Sequence, residues 1–586
     1  MTNNNPLYTI SVTLAVIFAV IGCSNHFESD NYIIDSLCIS DRQIDTKSCN
    51  PNLNLGVIGV DVEKALYHLS TGKWIVPQQD PYDLTIFRKA VDSVGLSNED
   101  LSINATHYAI KFFPKNEEEQ WDIELTDGVK VDYTPFNYTT VPYEADKQLG
   151  PKPHNKSLII DDCKYVVNYS VMCKDDIEEE IVSETYRIPV LYTIWPIDKT
   201  LPQGIEYEID HFVFLPDYKR NLNEGSTNKI LKAVEREAIN LALGSYPKEF
   251  EDATRDNDII TLKGYVYRQD PLIDSLIGQH NLKVRFKLGS NIYDTYVQQD
   301  GFFSVTGAIN TSFSHNHVFQ HPKWKITNAS DSAPTIFNWG TVSLKWHSID
   351  DIPVMIPNSS PSYYAVLPAV NFYYNGSHSI RTWHYNSGIR IIMTGVVSEN
   401  NSPASFYYGS SPTYIKVNED WAGVDNKLMG SVLHEFGHFT MFCECGGYNN
   451  FITVDDLICE SYASYAGWYL TTRRYGLLGC PESPSIYGYT GQSRQTWQKT
   501  GDSTRVYSPL FVDLVDAYNQ SSYNSIYNDD DITLGPFVHT LIRNMASQCR
   551  TWSHVRSSLS TYVGQYYTQS EFDSFADPYD YWYEHN

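Results

Sequence analysis

The sequence predicts a multidomain fold of mixed class: an α+β N-terminal domain, a β-sandwich middle domain and an α+β C-terminal domain. Three observations predict it. The chain has 586 residues, too many for one ordinary core. Short alternating apolar segments crowd residues 261–305, the pattern of a small sandwich. Residues 428–470 switch to helical spacing around a single His-Glu-x-x-His.

Composition narrows the function classes. Hydrophobic residues make up 42% and charged residues 19%, which suits chains that build real cores. The net charge of −27 argues against nucleic acid, or an anionic membrane held by charge, as a partner.

Residues 1–22 read as a leader. Ile10 to Ile21 is apolar but short for a membrane span, and it ends Val20-Ile21-Gly22-Cys23. A small residue before Cys after such a run resembles the bacterial lipoprotein signal. That resemblance implies cleavage before Cys23 and acyl chains on Cys23 as a membrane anchor. The body would then sit on the bacterial cell envelope, facing the periplasm or the exterior. Two or more acyl chains hold stably. Residues 1–22 carry no Lys or Arg, so the positive region reduces to the free amine; an uncleaved single-pass anchor is the competing reading. Nine further cysteines remain, and an exported chain permits disulfides. Cys38 with Cys49 and Cys163 with Cys173 suit local loops, and bridges among Cys443, Cys445, Cys459 and Cys480 would brace the helices near the motif. Connectivity stays open.

Residues 23–56 are polar and aperiodic, a tether. Residues 57–255 form the N-terminal domain. Its helices are expected at Leu84 to Val94 and Ile230 to Leu243, and its strands at His107 to Phe112, Asp122 to Leu125, Tyr186 to Tyr192 and Glu206 to Leu215. The acidic run Asn116 to Glu119 reads as a solvated loop. Phe113 to Glu119 after His107-Tyr108 resembles a segment of lipoproteins from the Bacteroidetes phylum and carries no chemistry. Residues 256–347 form the sandwich, with an Asp300-Gly301 turn. This part resembles carboxypeptidase-regulatory-like and other immunoglobulin-like modules, a likeness of fold alone. His315, His317 and His321 read as a polar His-rich loop, with a metal site as the rarer alternative.

Residues 348–586 form the third domain. Ser362 to Tyr374 suits a helix that Pro368 would kink or split. Gly388 to Thr394 and Thr413 to Val417 read as strands, and Phe511 to Tyr518 and Pro536 to Met545 as later helices. Leu428, Val432, Phe436 and Phe439 make an apolar stripe, with Asp425 as the cap and Gly446-Gly447 as the exit. Gly430 and Gly437 weaken that helix. His434 and His438, four apart, share one helical face and can reach one tetrahedral Zn2+. Glu435 is then placed to take a proton from water. A second helix over residues 453–475 carries Glu460 beside Ala463, Ser464 and Gly467, with Thr453 and Asp456 as a capping box and Gly476 as the stop. Small neighbours let two helices approach until one carboxylate reaches a metal on the other.

His434-Glu435-x-x-His438 with Glu460 on the next helix resembles the gluzincin metallopeptidases. The resemblance implies a zincin-like catalytic domain, zinc held by His434, His438 and Glu460, and Glu435 as general base. It also implies an edge strand before the motif helix, so residues 413–417 should border the cleft. The oxyanion-stabilising donor of such enzymes points to His539, with Tyr465 behind it. Glu444 ranks below Glu460 as third ligand, because the glycine turn of the metzincin pattern is missing; position 441 is Met. The expected activity is a membrane-anchored, zinc-dependent endopeptidase acting on extracellular proteins or peptides. The rival is a non-catalytic surface-binding lipoprotein with a degenerate peptidase domain, and the intact Glu435 argues against it. A zinc hydrolase of a non-peptide bond is a third reading that the motif allows.

Overall fold

The computed structural model describes residues 67–68, 73–74, 80–98, 101–133, 162–171, 181–217, 225–243, 260–270, 273–307, 313–328, 332–342, 352–356, 362–376, 378, 380–381, 388–394, 403–409, 413–419, 425–478, 498–500, 504–515, 542–543 and 550–584. Among them the chain forms ten helices and six sheets, a multidomain α+β protein.

After the short hairpin β1 (Tyr67–His68) and β2 (Lys73–Trp74), an antiparallel sheet of order β4-β7-β3-β8 forms. Its strands are β3 (His107–Phe113), β4 (Lys130–Asp132), β7 (Leu191–Pro196) and β8 (Glu206–Val213). Helix α1 (Leu84–Ser93) starts where the Asp83 carboxylate accepts the Thr85 N–H, and it buries Ile86, Phe87, Ala90 and Val91, while Val94 at the end of the expected stripe is exposed.

The acidic run is a helix, not a loop. Helix α2 (Glu117–Glu124) is capped by Asn116, whose side chain accepts the Glu119 N–H, while the Glu119 carboxylate accepts the Lys115 N–H. Three acidic residues in the first turn suit the positive end of the helix. The expected strand at 122–125 is therefore the end of this helix. Glu117 is fully buried rather than solvated. The expected single strand at 186–192 is also two. β6 (Ile181–Pro189) and β7 part at Val190 and enter different sheets. Helix α3 (Gly225–Leu243) packs against α1.

Two four-stranded sheets follow. One holds β9 (Ile260–Asp270), β10 (Ser275–Gly278), β13 (Phe302–Gly307) and β18 (Ile352–Ile356). The other, of order β12-β11-β14-β17, holds β11 (Lys283–Leu288), β12 (Asn291–Tyr296), β14 (Phe313–Val318) and β17 (Ile336–Val342). Phe286 and Phe303 bring the two sheets together, with ring centroids 6.0 Å apart. The His-rich stretch is not a polar loop. His315 and His317 lie buried on β14, where His315 stacks on Phe286 and His317 Nδ1 meets the Tyr364 hydroxyl at 2.9 Å.

The largest sheet has seven strands, in the order β15-β16-β19-β21-β20-β5-β6. They are β5 (Asp162–Val171), β6, β15 (Gln320–His321), β16 (Trp324–Asn328), β19 (Ile389–Thr394), β20 (Ala404–Gly409) and β21 (Tyr414–Asn418). It therefore draws strands from all three segments of the sequence. β21 is an inner strand, between β19 and β20, so the expected edge at 413–417 is corrected. Antiparallel β20 takes the place next to the motif helix.

Helix α4 (Tyr363–Asn375) runs through Pro368 without a split. Helices α5 (Asp425–Glu444), α6 (Tyr448–Phe451) and α7 (Asp456–Leu477) come next. β22 (Gln498–Thr500) and β23 (Thr504–Tyr507) form a small hairpin. Of the helix expected at 511–518 the described residues form the single turn α8 (Leu510–Asp513), residues 516–518 lying outside them, and α9 (Trp552–Val563) and α10 (Gln569–Glu584) end the described chain.

Candidate metal centre

Register fixes which face of the seven-stranded sheet carries the site. Ile391 pairs with Ile415, and Ile415 with Phe406, so these three share a face. Phe406 packs against Phe439, Phe442 and the His438 ring, so that face receives α5. α5 is braced from its other side by α4. Tyr373 stacks on Phe436 at 4.2 Å, and its hydroxyl meets Thr440 Oγ1 at 2.6 Å. The helix closes as expected on Gly446. The Gly446 N–H bonds to Cys443 C=O and the Gly447 N–H to Phe442 C=O, with Gly446 at φ +82°.

The α5–α7 contact depends on small residues. A Cβ on Gly437 would lie 2.7 Å from Ala463 Cα, and one on Gly467 would lie 2.9 Å from Gly430 O and 3.1 Å from His434 Cβ. Gly437 is thus a packing requirement and not only a weak helix residue. α7 begins differently from expectation: Asp455 is the cap, accepting the Leu457 N–H, while the Thr453 hydroxyl donates to Asn450 C=O. It also runs one residue past Gly476.

This contact brings His434, His438 and Glu460 together. The two Nε2 atoms are 3.2 Å apart, His434 Nε2 is 3.3 Å from Glu460 Oε2, and His438 Nε2 is 3.4 Å from Glu460 Oε1. Ligand atoms on a tetrahedral zinc with bonds of about 2.0–2.1 Å stand about 3.3 Å apart, so the three donors fit the ion. They are also the His/Glu group among the described residues whose atoms converge as a metal site would require. Both imidazoles are buried, and the Glu460 side chain is 12% exposed. Burial would raise the Glu460 carboxyl, but His438 and His434 hold it well below the usual carboxylate range. Burial would lower His438, yet Glu460 wins and raises it, with Glu435 and Asp456 adding to the effect. Anionic Glu460 between two imidazoles is the charge pattern a dication would relieve.

Glu435 is buried on the same helix, next to His434. Burial pushes its carboxyl up to about 7, against the pull of His438 and of a hydrogen bond from the Phe406 N–H. That backbone contact from β20 was missed in the sequence. Phe406 sits in the aromatic run Phe406-Tyr407-Tyr408, which signals a buried strand but not a partner for Glu435.

Other expected residues fall elsewhere. Glu444 faces Arg543, with Arg543 Nε 3.7 Å from its carboxylate. Tyr465 is fully buried, stacked on Tyr469 and packed against Phe511. Cys443, Cys445 and Cys459 are buried and form no disulfide with one another, so the expected bridging among these three is corrected; the Cys459 thiol donates to Met441 Sδ at 3.2 Å. His539, Cys23, Cys480 and the helix expected at 536–545, apart from residues 542–543, lie outside the described residues. Comparison with family models, curated proteins and solved structures found no match for this chain.

Proposed function

We propose that this chain is a zinc-dependent peptide hydrolase whose catalytic part is zincin-like and whose middle sheets form an immunoglobulin-like module. The observation that carries the reading is the triangle of His434, His438 and Glu460 donor atoms, 3.2–3.4 Å on a side, with a buried carboxylate beside it. Zinc held there supplies Lewis acidity toward water and a substrate carbonyl. Glu435 takes the proton of the attacking water and returns it to the leaving nitrogen. Burial raises that carboxyl from its ordinary value, the direction a group that both takes and returns a proton needs. The Phe406 backbone on β20 lies close enough to that carboxylate to pull it down against the effect of burial. Phe406 and Phe439 wall the site with apolar surface, which strengthens electrostatic interactions within it.

The test is metal analysis combined with a peptide-cleavage assay. The protein is expected to hold one zinc and to lose cleavage on chelation. Glu435→Gln should keep the zinc and lose turnover by about a thousandfold or more. A protein that binds no metal, or a Glu435→Gln variant that cleaves as before, overturns the proposal. Retained zinc with no cleavage by the unaltered protein favours the surface-binding rival. Attachment through acylated Cys23 belongs to the same proposal. Cys23→Ser should release the protein from membranes, as read by fractionation. Among the described residues no helix is long and apolar enough to cross a membrane.

A further inference from the structure

A small cavity lies where the sheet of β9, β10, β13 and β18 meets helices α4, α5 and α7. Arg268 and Asp270 of β9, Gln279 just after β10, and Arg474 and Tyr475 near the end of α7 supply its polar wall; apolar side chains of α4 and α5 complete it. Its volume of about 20 Å³ suits one small guest. Two guanidinium groups and one carboxylate line it, so the lining residues carry an excess of positive charge. The Asp270 carboxylate accepts the Tyr475 hydroxyl at 3.1 Å. The Arg474 side chain donates no hydrogen bond among the described residues, and its guanidinium lies over the Phe372 ring at 6.0 Å. Burial pushes that group below its ordinary value, while Tyr475 and Asp270 pull it back up. Gln279 is 1% exposed. Its Nε2 donates to Ile277 C=O at 3.4 Å, which sets the sense of the amide, and its Oε1 has no hydrogen-bond partner among the described residues.

The wall thus asks two things of a guest: negative charge that accepts from Arg474, and a proton that can be donated to Gln279. A halide offers only the charge, and water only the proton. We propose that this cavity binds a small monovalent oxyanion that keeps one O–H, the chemistry of bicarbonate. Its charged oxygens accept from Arg474, a charge-assisted bond, and Arg268 adds to the positive field. Its hydroxyl donates to Gln279 Oε1, which removes the cost of a buried acceptor left unbonded. The anion so held ties the β9 sheet to the end of α7, the helix that carries Glu460. The inference does not rest on the peptidase reading, because none of these residues belongs to the candidate metal centre.

The experiment titrates the full chain into 13C-labelled bicarbonate at pH 8, followed by NMR line broadening, with sodium gluconate holding the ionic strength. Urea unfolding is run alongside in bicarbonate, chloride or gluconate. We expect the labelled resonance to broaden, and the urea midpoint to rise by about 0.3 M or more in bicarbonate and by less than half as much in chloride. Arg474→Gln and Gln279→Met should each weaken bicarbonate binding by about tenfold. Gln279→Met keeps the volume and removes an unbonded acceptor, so it should fold; if Arg474→Gln does not, Gln279→Met and the unaltered protein decide. Absence of broadening overturns the inference, and so does a rise of the midpoint in chloride equal to that in bicarbonate. Binding that disappears on chelation lies on a metal, and binding unchanged in the folded variants lies elsewhere on the surface; either result overturns it as well.

Discussion

Gly437 shows how a single missing methyl sets the distance between the ligand-bearing helices. By helix propensity, Gly437→Ala should stabilise by about 1 kcal/mol. The added Cβ would meet Ala463 backbone at 2.7 Å, and overpacking of this kind costs about 1–3 kcal/mol. We predict net destabilisation in urea unfolding together with weaker zinc binding, since Glu460 moves with α7. A more stable variant with unchanged zinc affinity would show that α5 and α7 have room to spare. At Glu460 itself, Glu460→Gln should weaken zinc binding by more than about a hundredfold, measured by competition with a chelator. His434, Glu435 and His438 were readable from spacing, and Glu460 from its small neighbours on the next helix together with the family resemblance. The Phe406 N–H on Glu435 was not, because a backbone donor leaves no trace in residue identity.

Among the elements, the β11–β12 pair carries the clearest electrostatic device. Arg285 and Asp294 are direct cross-strand partners, and Arg285 Nε and Nη2 donate to the two Asp294 oxygens at 2.8 and 2.7 Å. Arg285 Nη1 also donates to Val131 C=O on β4, which ties two sheets together. Burial pushes the Asp294 carboxyl up, but the guanidinium outweighs it and brings it down to about 2 from 3.8. A carboxyl depressed in the folded state stabilises above its unfolded value and loses that contribution as pH falls through the folded one. Asp294→Asn should therefore cost about 3 kcal/mol at pH 6, because it strands a buried cation. That difference from the unaltered protein should shrink between about pH 4 and pH 2, as followed by urea unfolding across the range. A constant difference would mean the loss comes from packing. α2 is the element that sequence pattern misjudged. Its acidic run reads as solvated, and only the partners across the fold explain why Glu117 is buried.

Those partners act at the scale of the whole molecule. Lys325 and Arg390 sit on β16 and β19, on the sheet face turned away from α5. Glu117 lies 3.4 Å from Lys325 Nζ and 3.6 Å from Arg390 Nε, and Lys325 lies over the Trp121 ring. α2, from the N-terminal segment, thus covers the back of the sheet whose front holds the candidate metal centre. Glu117→Leu should destabilise by about 3–5 kcal/mol, because two buried cations lose their shared carboxylate. Calorimetry should show the sheet and the N-terminal segment melting together at a lower temperature. A separate early transition of the N-terminal segment, with the sheet unaffected, would contradict this coupling.

By itself the sequence determined what local periodicity and spacing can encode. It identified the imidazole pair on one helical turn, the carboxylate beside it proposed as the base, the alternating strands of the middle region and the carboxylate on the following helix. All but the last ligand candidate depend on residues close in the chain, where the backbone repeat dictates which side chains meet; that Glu460 reaches the imidazoles was expected from its small neighbours and the family resemblance, and the packing of α7 on α5 brings it there. Tertiary structure decided which strands neighbour one another, and so moved the site's strand from 413–417 to Ala404–Gly409. It also split residues 181–196 between two sheets and buried Glu117 beneath β16 and β19. Strand pairing and buried charge pairs join residues far apart in the chain, and their energies depend on partners that no local pattern names.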